Sequence, residues 1–393
     1  MMLVELWNEY WPLLSAILVV LIAIPTLGLY MTYIERKVAA SMQDRIGPNR
    51  VGPLGLLQAV ADGLKIFLKE QVVPAHVDKW IYLIAPAIGV VTSMLAFAVV
   101  PFGPVAPEGP HTGFRFIIAP GVEIGLVFIF AVSSLSAYSI ILGGWASNNK
   151  YSLYGAIRSC AQFISYEIPL GMSVLGVFAI TGSMNLEKIV YQQSNFLEWN
   201  IWWQPLAALI FFTSALAESN RLPFDLSECE QELVGGFHTE YSGIKFVLFF
   251  LAEYTHVVTI SFLTVLLFFG GWHLPGLTDP ADPTAMGTAL RVLVLLAKAG
   301  VIVFFIMMLR WTLPRFRFDQ LMGLAWKGFI PLALFNLLGV MIVISLDLSP
   351  YWMTLFSAIV FVVAGALNVS QLNNRLRSPS STAPIRTRAE GAY

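Results

Sequence analysis

Nine stretches of this chain are built almost wholly of apolar residues: 11–33, 80–101, 116–142, 157–181, 201–217, 246–270, 291–309, 328–346 and 352–367. A helix needs about 20 such residues to cross the hydrocarbon core of a bilayer, and each run reaches or approaches that length. Backbone groups in lipid must pair within their own segment, so helices are the natural reading. Barrel strands would be about 10 residues long and alternate in polarity, which these runs do not. Only 12% of the 393 residues are charged, against about a quarter in soluble domains. The sequence predicts an all-α polytopic membrane protein with eight core helices and a ninth near the C-terminus. One transmembrane domain covers 1–370. The polar tail 371–393, which contains SPSSTAP, reads as disordered.

Lysine and arginine set the orientation. With the N-terminus outside, every basic residue except Arg115, Lys188, Arg291 and the intraspan Lys298 falls on an inner segment, as the positive-inside rule requires. The first run is too long for a signal-peptide core and follows Glu5 and Glu9 rather than a basic segment. One stretch does not span. In 53–70, Gln58, Asp62, Lys65 and Lys69 line one helical face, and Leu56, Leu57, Val60, Leu64, Phe67 and Leu68 line the other. That pattern predicts an amphipathic helix lying in the interface.

Acidic residues are the chemical feature that lipid makes unusual. The segment 218–245 carries Glu218, Asp225, Glu228, Glu230, Glu232 and Glu240, with only Arg221 and Lys245 opposed to them. Carboxyls crowded at a membrane boundary titrate as a coupled set. Within the apolar runs lie Glu123 in the third, Glu167 in the fourth, Glu253 and His256 in the sixth and Lys298 in the seventh. Intramembrane acids are proton or ion sites by default; the competing reading is a structural pair such as Glu253 with Lys298. His256 reads as a packed core histidine. Pro169, two residues after Glu167, removes one helix hydrogen bond beside that carboxyl. Three inner loops are charged and turn-rich, which favours a docking surface for a soluble partner at Arg45, Arg310, Arg315, Arg317 and Asp319; ordinary membrane anchoring is the plainer alternative.

Several functions are excluded. Two cysteines, Cys160 and Cys229, are too few for an iron–sulfur cluster held by this chain alone. There is no phosphate-cradling loop, zinc spacing or Ser/His/Asp arrangement, so no residue is assigned as catalytic or as a metal ligand. A net charge of −1 without a basic stripe offers nothing to nucleic acid.

Four motifs resemble one family: ERKVAASMQDRIGPNRVGPLGLLQAVADGLKIFLKE from Glu35, SNNKYSLYGAIRS leading into SYEIPL, ESNRLPFDLSECEQELVGGFHTEYSG from Glu218, and RWTLPRFRFDQLMGLAWK from Arg310. They are similar to the H-type, quinone-site membrane subunit of bacterial respiratory complex I, the NADH–quinone oxidoreductase. Ser227, Cys229 and Phe237 depart from the usual family residues, but no carboxylate is lost. The resemblance implies that ubiquinone or menaquinone is bound as substrate in a chamber roofed by the soluble arm. It places Arg36, Asp62, Lys65 and Phe67 at that chamber. It places Glu35, Glu123, Glu167, Glu218, Asp225, Glu228, Glu230, Glu240 and Glu253 on a proton-transfer route. It assigns FMN and the iron–sulfur clusters to partner subunits, and it implies as partners the soluble quinone-site and iron–sulfur subunits, small membrane subunits and antiporter-like subunits. The location it implies is the bacterial inner membrane. The alternatives are the membrane component of an energy-converting hydrogenase and a stand-alone ion/proton antiporter.

Overall fold

The computed structural model describes residues 2–104, 116–226, 234–278 and 284–377, without the side chains of 2–9, 285 and 367–377. The chain forms α1 (Met2–Met42), α2 (Gln58–Phe67), α3 (Lys79–Leu95), α4 (Gly125–Ala146), α5 (Lys150–Thr181), α6 (Leu186–Gln192), α7 (Asn200–Trp203) and α8 (Pro205–Glu218). It continues through α9 (Ile244–Phe268), α10 (Ala285–Thr312), α11 (Phe318–Gly323), α12 (Ile330–Ser345) and α13 (Tyr351–Arg377). A π-helical turn, Leu324–Phe329, joins α11 to α12. Among the described residues, seven helical segments are long and apolar enough to cross a membrane, and Pro205–Glu218 and Tyr351–Ala366 are shorter apolar helices. Together these nine occupy the nine apolar runs.

The departures have local causes. The fifth run, 201–217, is interrupted at Gln204, because Pro205 restricts the residue before it and opens a new helix. The resulting 14-residue α8 rises only about 21 Å, short of the roughly 30 Å hydrocarbon core. The third spanning helix, α4, begins at Gly125, so Glu123 lies ahead of it, exposed, rather than inside a span. Arg291 belongs to α10 and is buried, not part of an outer loop. The inner loop 310–327 is largely helical. α13 continues to Arg377, so the tail's first residues are helical, and 378–393 lie outside the described residues.

α9 lies at the centre, with most of its apolar span buried, and packs against α1, α3, α8 and α10. α5 packs against α4, α8 and α12. Between helices in lipid, hydrogen bonds and close packing replace the hydrophobic drive. Ser139 of α4 donates to the Ala85 carbonyl of α3 at 2.7 Å, where Gly89 leaves room for its hydroxyl. A Cβ on Gly155 would come within 2.7 Å of the Gly236 backbone, so α5 seats the 236–238 turn closely because residue 155 has no side chain. α1 does not stop where its apolar run ends at residue 33. It carries on to Met42 and so holds Glu35 and Arg36 on a rigid extension.

Candidate functional site

A cavity of about 670 Å³ opens between α1, α2, the first turns of α9 and the end of α10. Its apolar wall includes Leu29, Ile66, Phe246, Phe250 and Leu251, and its polar groups are Glu35, Arg36, Arg45, Asp62, Tyr254 and Arg310. Arg36 of α1 donates to Asp62 of α2, and Gln58 donates to the other Asp62 oxygen at 3.0 Å. This bridge fastens the amphipathic helix to the first span. Tyr33 adds a hydrogen bond to the Leu54 carbonyl at 2.7 Å. A glycine shapes the loop between them: Gly55 has φ 82°, and a Cβ there would collide with the Pro48 carbonyl. Lys65 and Phe67 do not line this cavity; both are exposed on another side of α2. Helical spacing alone had grouped Lys65 with Asp62.

At the cavity wall, three groups converge on one buried carboxylate. Glu35 is 7% exposed. It accepts from Tyr254 Oη at 2.6 Å and from Arg221 at 3.4 Å, and it pairs with Arg310 through its other oxygen. The Arg221 guanidinium also lies 4.1 Å over the Tyr254 ring. α1, α9, α10 and the start of the acidic segment therefore meet at one side chain. Nearby, Arg315 pairs with Asp225 at 3.5 Å. Arg310, expected at a docking surface, turns toward Glu35 instead, while Arg315 makes its pair with Asp225 from an exposed position. Arg317 and Asp319, an exposed pair at 3.3 Å, and the exposed Arg45 and Arg315 remain at the surface.

A second group of acids is held differently. Adjacent serines of α4 each face one carboxyl: Ser134 donates to Glu167 of α5, and Ser133 lies beside Glu218 at the end of α8. Glu167 is close enough to Glu218 for their charges to interact. Both hydroxyls also reach the Phe130 carbonyl, at 3.0 Å from Ser133 and 2.8 Å from Ser134. Each hydroxyl has one proton and two possible acceptors. It can point at an ionised carboxylate, or turn to the backbone and accept from a protonated carboxyl. The arrangement tolerates both protonation states without moving a helix. Glu218 also borders a cavity of about 30 Å³, shared with Glu253, His256, Ser136 and Ser139; that is room for about one water molecule. His256 lines this cavity, and among the described residues its Nε2 has no hydrogen-bond partner.

Lys298 does not pair with Glu253. It donates to the carbonyls of Phe269 (2.7 Å) and His273 (2.6 Å) at the far end of α9, sixteen residues or about 24 Å along the helix axis.

Glu240 stands apart. It accepts from Asn149 at 2.8 Å, faces His76 at 3.8 Å, and its backbone carbonyl accepts from Tyr82. Stacked Tyr82 and Tyr241 rings, 4.2 Å between centroids, fix that end of the acidic segment. Burial among Phe237, Phe246 and Phe250 pushes the His238 imidazole down to about 4. Gln162 of α5 secures the segment's other end by donating to the Ala217 and Phe224 carbonyls. Glu228 and Glu230 lie outside the described residues. Sequence reasoning missed Ser133 and Ser134, although VSSLS inside an apolar run was the available signal, and it missed Tyr254 entirely.

The model of a family described as NADH dehydrogenase matches residues 15–341. The chain is 45% identical over 329 residues to an H-type NADH-quinone oxidoreductase subunit of Flavobacterium johnsoniae, covering 82% of this chain and 93% of that one. It is 44% identical over 347 residues to an H-type NADH-quinone oxidoreductase subunit of Geobacter sulfurreducens, covering 86% and 96%. It is 43% identical over 346 residues to an NADH-quinone oxidoreductase subunit 8 of Rhodothermus marinus, covering 86% and 98%.

Proposed function

Since this chain belongs to the NADH dehydrogenase family, as an H-type membrane subunit of NADH-quinone oxidoreductase, we propose that the cavity beside Arg36 is the membrane part of its quinone chamber. The observation that carries this reading is the lining. A ligand pocket is mostly apolar with a few placed polar groups. Here the apolar wall of α1, α2 and α9 leads to the Arg36–Asp62 pair and to Tyr254 and Arg310. The wall suits a ring with an isoprenoid tail, and the polar end suits the ring's carbonyl oxygens, which accept hydrogen bonds. The electrons come from partner subunits. The relatives' names favour quinone as acceptor over the protons that a hydrogenase would reduce.

The chain's own contribution is to hold charge and pass protons. Quinone reduction consumes protons and changes the charge facing the cavity wall. Glu35 lies on that wall, and Arg221, which binds it, is three residues from Glu218. In this reading a charge change at the wall is felt through Arg221 at Glu218 and Glu167. Glu253 and His256 extend the route through the small cavity. Glu240, with Asn149 and His76, is the intake on the inner side. Arg45, Arg315, Arg317 and Asp319 face a soluble partner that closes the chamber. The N-terminus lies outside, in a bacterial inner membrane. Glu123, Lys65 and Phe67 lie apart from these groups, and no role is drawn for them.

A photoreactive quinone analogue tests the chamber in the assembled enzyme. Labelled peptides are expected from α1 around Thr32–Ala40, from α2 and from the first turns of α9. Labelling confined to other segments, and insensitive to competing quinone, refutes the placement.

A further inference from the structure

Two helices carry a proline-linked irregularity at the same depth, and the two irregularities touch. In α5, Pro169 has no N–H, so the Ser165 carbonyl loses its rung in the helix ladder. Glu167 sits between these two residues. Across from it, Leu324–Phe329 winds as a π-helix, and Pro331 follows in the first turn of α12. A proline ring collides with the carbonyl four residues before it, here that of Lys327, in a regular α-helix. Widening the turn ahead of Pro331 relieves that collision. π turns inside α-helices are rare and frequent at functional sites.

The contact between them is specific. The Trp326 indole N–H donates to Ser165 Oγ at 3.1 Å, and Ser165 in turn donates to the Ala161 carbonyl at 2.6 Å. The Tyr166 hydroxyl donates to the Leu321 carbonyl at 2.9 Å, and the Tyr166 ring meets Phe329 edge-on at 6.2 Å. Positions five apart, such as Leu321 and Trp326, lie about 140° apart around a regular α-helix. A turn bonded i to i+5 brings them toward one face. The two residues immediately before Glu167 are thus gripped from the π turn, on the stretch of α5 that its own ladder holds least. Ser134 holds the Glu167 carboxyl itself from α4.

We propose that the π turn Leu324–Phe329, acting through Trp326 on Ser165, positions Glu167 for proton transfer; the inference rests on the proton-transfer reading of Glu167. Trp326 is a positioning residue, since it touches Ser165 and not the carboxyl.

The test uses the assembled enzyme in membrane vesicles, with NADH-driven proton translocation, the quinone KM and the pH profile of translocation as readouts. Trp326→Phe keeps the ring and removes the donor; Ser165→Ala removes the acceptor; Ser165→Thr keeps it. Deletion of Gly328 takes out one residue and restores a regular helix. Each of the first two variants is expected to slow translocation about fivefold, the worth of one hydrogen bond. Each is also expected to displace the pH profile at an unchanged quinone KM, with Ser165→Thr restoring it. The deletion is expected to match or exceed them. If it does not assemble, Trp326→Phe and Ser165→Ala still decide the matter. Unshifted profiles in those two, beside an altered profile in Glu167→Gln, refute the π-turn role and leave Glu167's own role standing. An unaltered profile in Glu167→Gln removes both.

Discussion

Glu35 and Glu167 are acids of the same type on long spanning helices, and they are held in opposite ways. Glu35 is met by two guanidiniums and a phenol. Glu167 is met by a serine hydroxyl, with a second acid, Glu218, within electrostatic reach. The first arrangement compensates a charge; the second accommodates a proton being present or absent. An acid in lipid marks function by default, but its partners decide whether that function is to anchor charge or to exchange protons. In the reading proposed above, Glu35 belongs to the wall of the chamber and Glu167 and Glu218 to the relay.

The strongest test of that contrast removes the charge at each site. Glu35→Gln leaves the Arg221 and Arg310 guanidiniums without their shared counter-ion. Breaking a buried pair costs about 3–5 kcal/mol, so the variant is expected to assemble poorly and to melt earlier in a thermal shift of the purified complex. Arg310→Met combined with Glu35→Gln should recover part of the loss. Glu167→Gln is expected to assemble normally, because an amide still satisfies Ser134, and to slow proton translocation about 100-fold, as for loss of a group that exchanges protons in the slow step. Equal destabilisation by the two single variants would erase the distinction.

These partners show what a linear sequence conveys. The apolar runs made the nine helical segments legible, because bilayer thickness imposes a length that composition reports directly. The alternation of faces in 53–70 disclosed α2 for the same reason. The acids themselves were legible, being rare in apolar surroundings. Their partners were not. Glu35 is paired with residues 186 and 275 positions away, and nothing local distinguishes Arg310 as inward-facing from Arg317 as exposed. Gln204 breaks the fifth run although its neighbours are apolar, and only Pro205 announced it. Helical periodicity put Lys65 on the face of Asp62, yet the cavity takes only the part of that face nearest α1.

A smaller effect sharpens the relay half of the contrast. Ser134→Ala leaves the Glu167 carboxyl without its hydroxyl partner in either protonation state. Losing one charge-assisted hydrogen bond amounts to about 1.5 kcal/mol. Translocation is expected to slow roughly tenfold while the thermal midpoint hardly moves. Ser134→Thr, which keeps the hydroxyl, should restore the rate. If alanine and threonine behave alike, the hydroxyl has no part in the transfer and Glu167 depends on its surroundings in some other way.

The smallest effect concerns how the acidic segment is held down near Glu240, where aromatic packing replaces charge. His238 is pressed among Phe237, Phe246 and Phe250, and burial takes its imidazole from an ordinary 6.5 to about 4. An unfolded or undocked His238 binds a proton below about pH 6.5, whereas the docked one does not until about pH 4. Between those limits the undocked state binds more protons, so docking weakens as pH falls. Well above pH 6.5 both states are neutral and the histidine adds no pH dependence. At pH 6 the loss is on the order of 1 kcal/mol. Amide exchange in 234–241 is therefore expected to quicken severalfold from pH 7 to pH 6, after correction for the intrinsic rate. His238→Phe, which keeps the ring contacts and carries no proton, should flatten the dependence. An unchanged slope in that variant would show that the sensitivity does not come from His238.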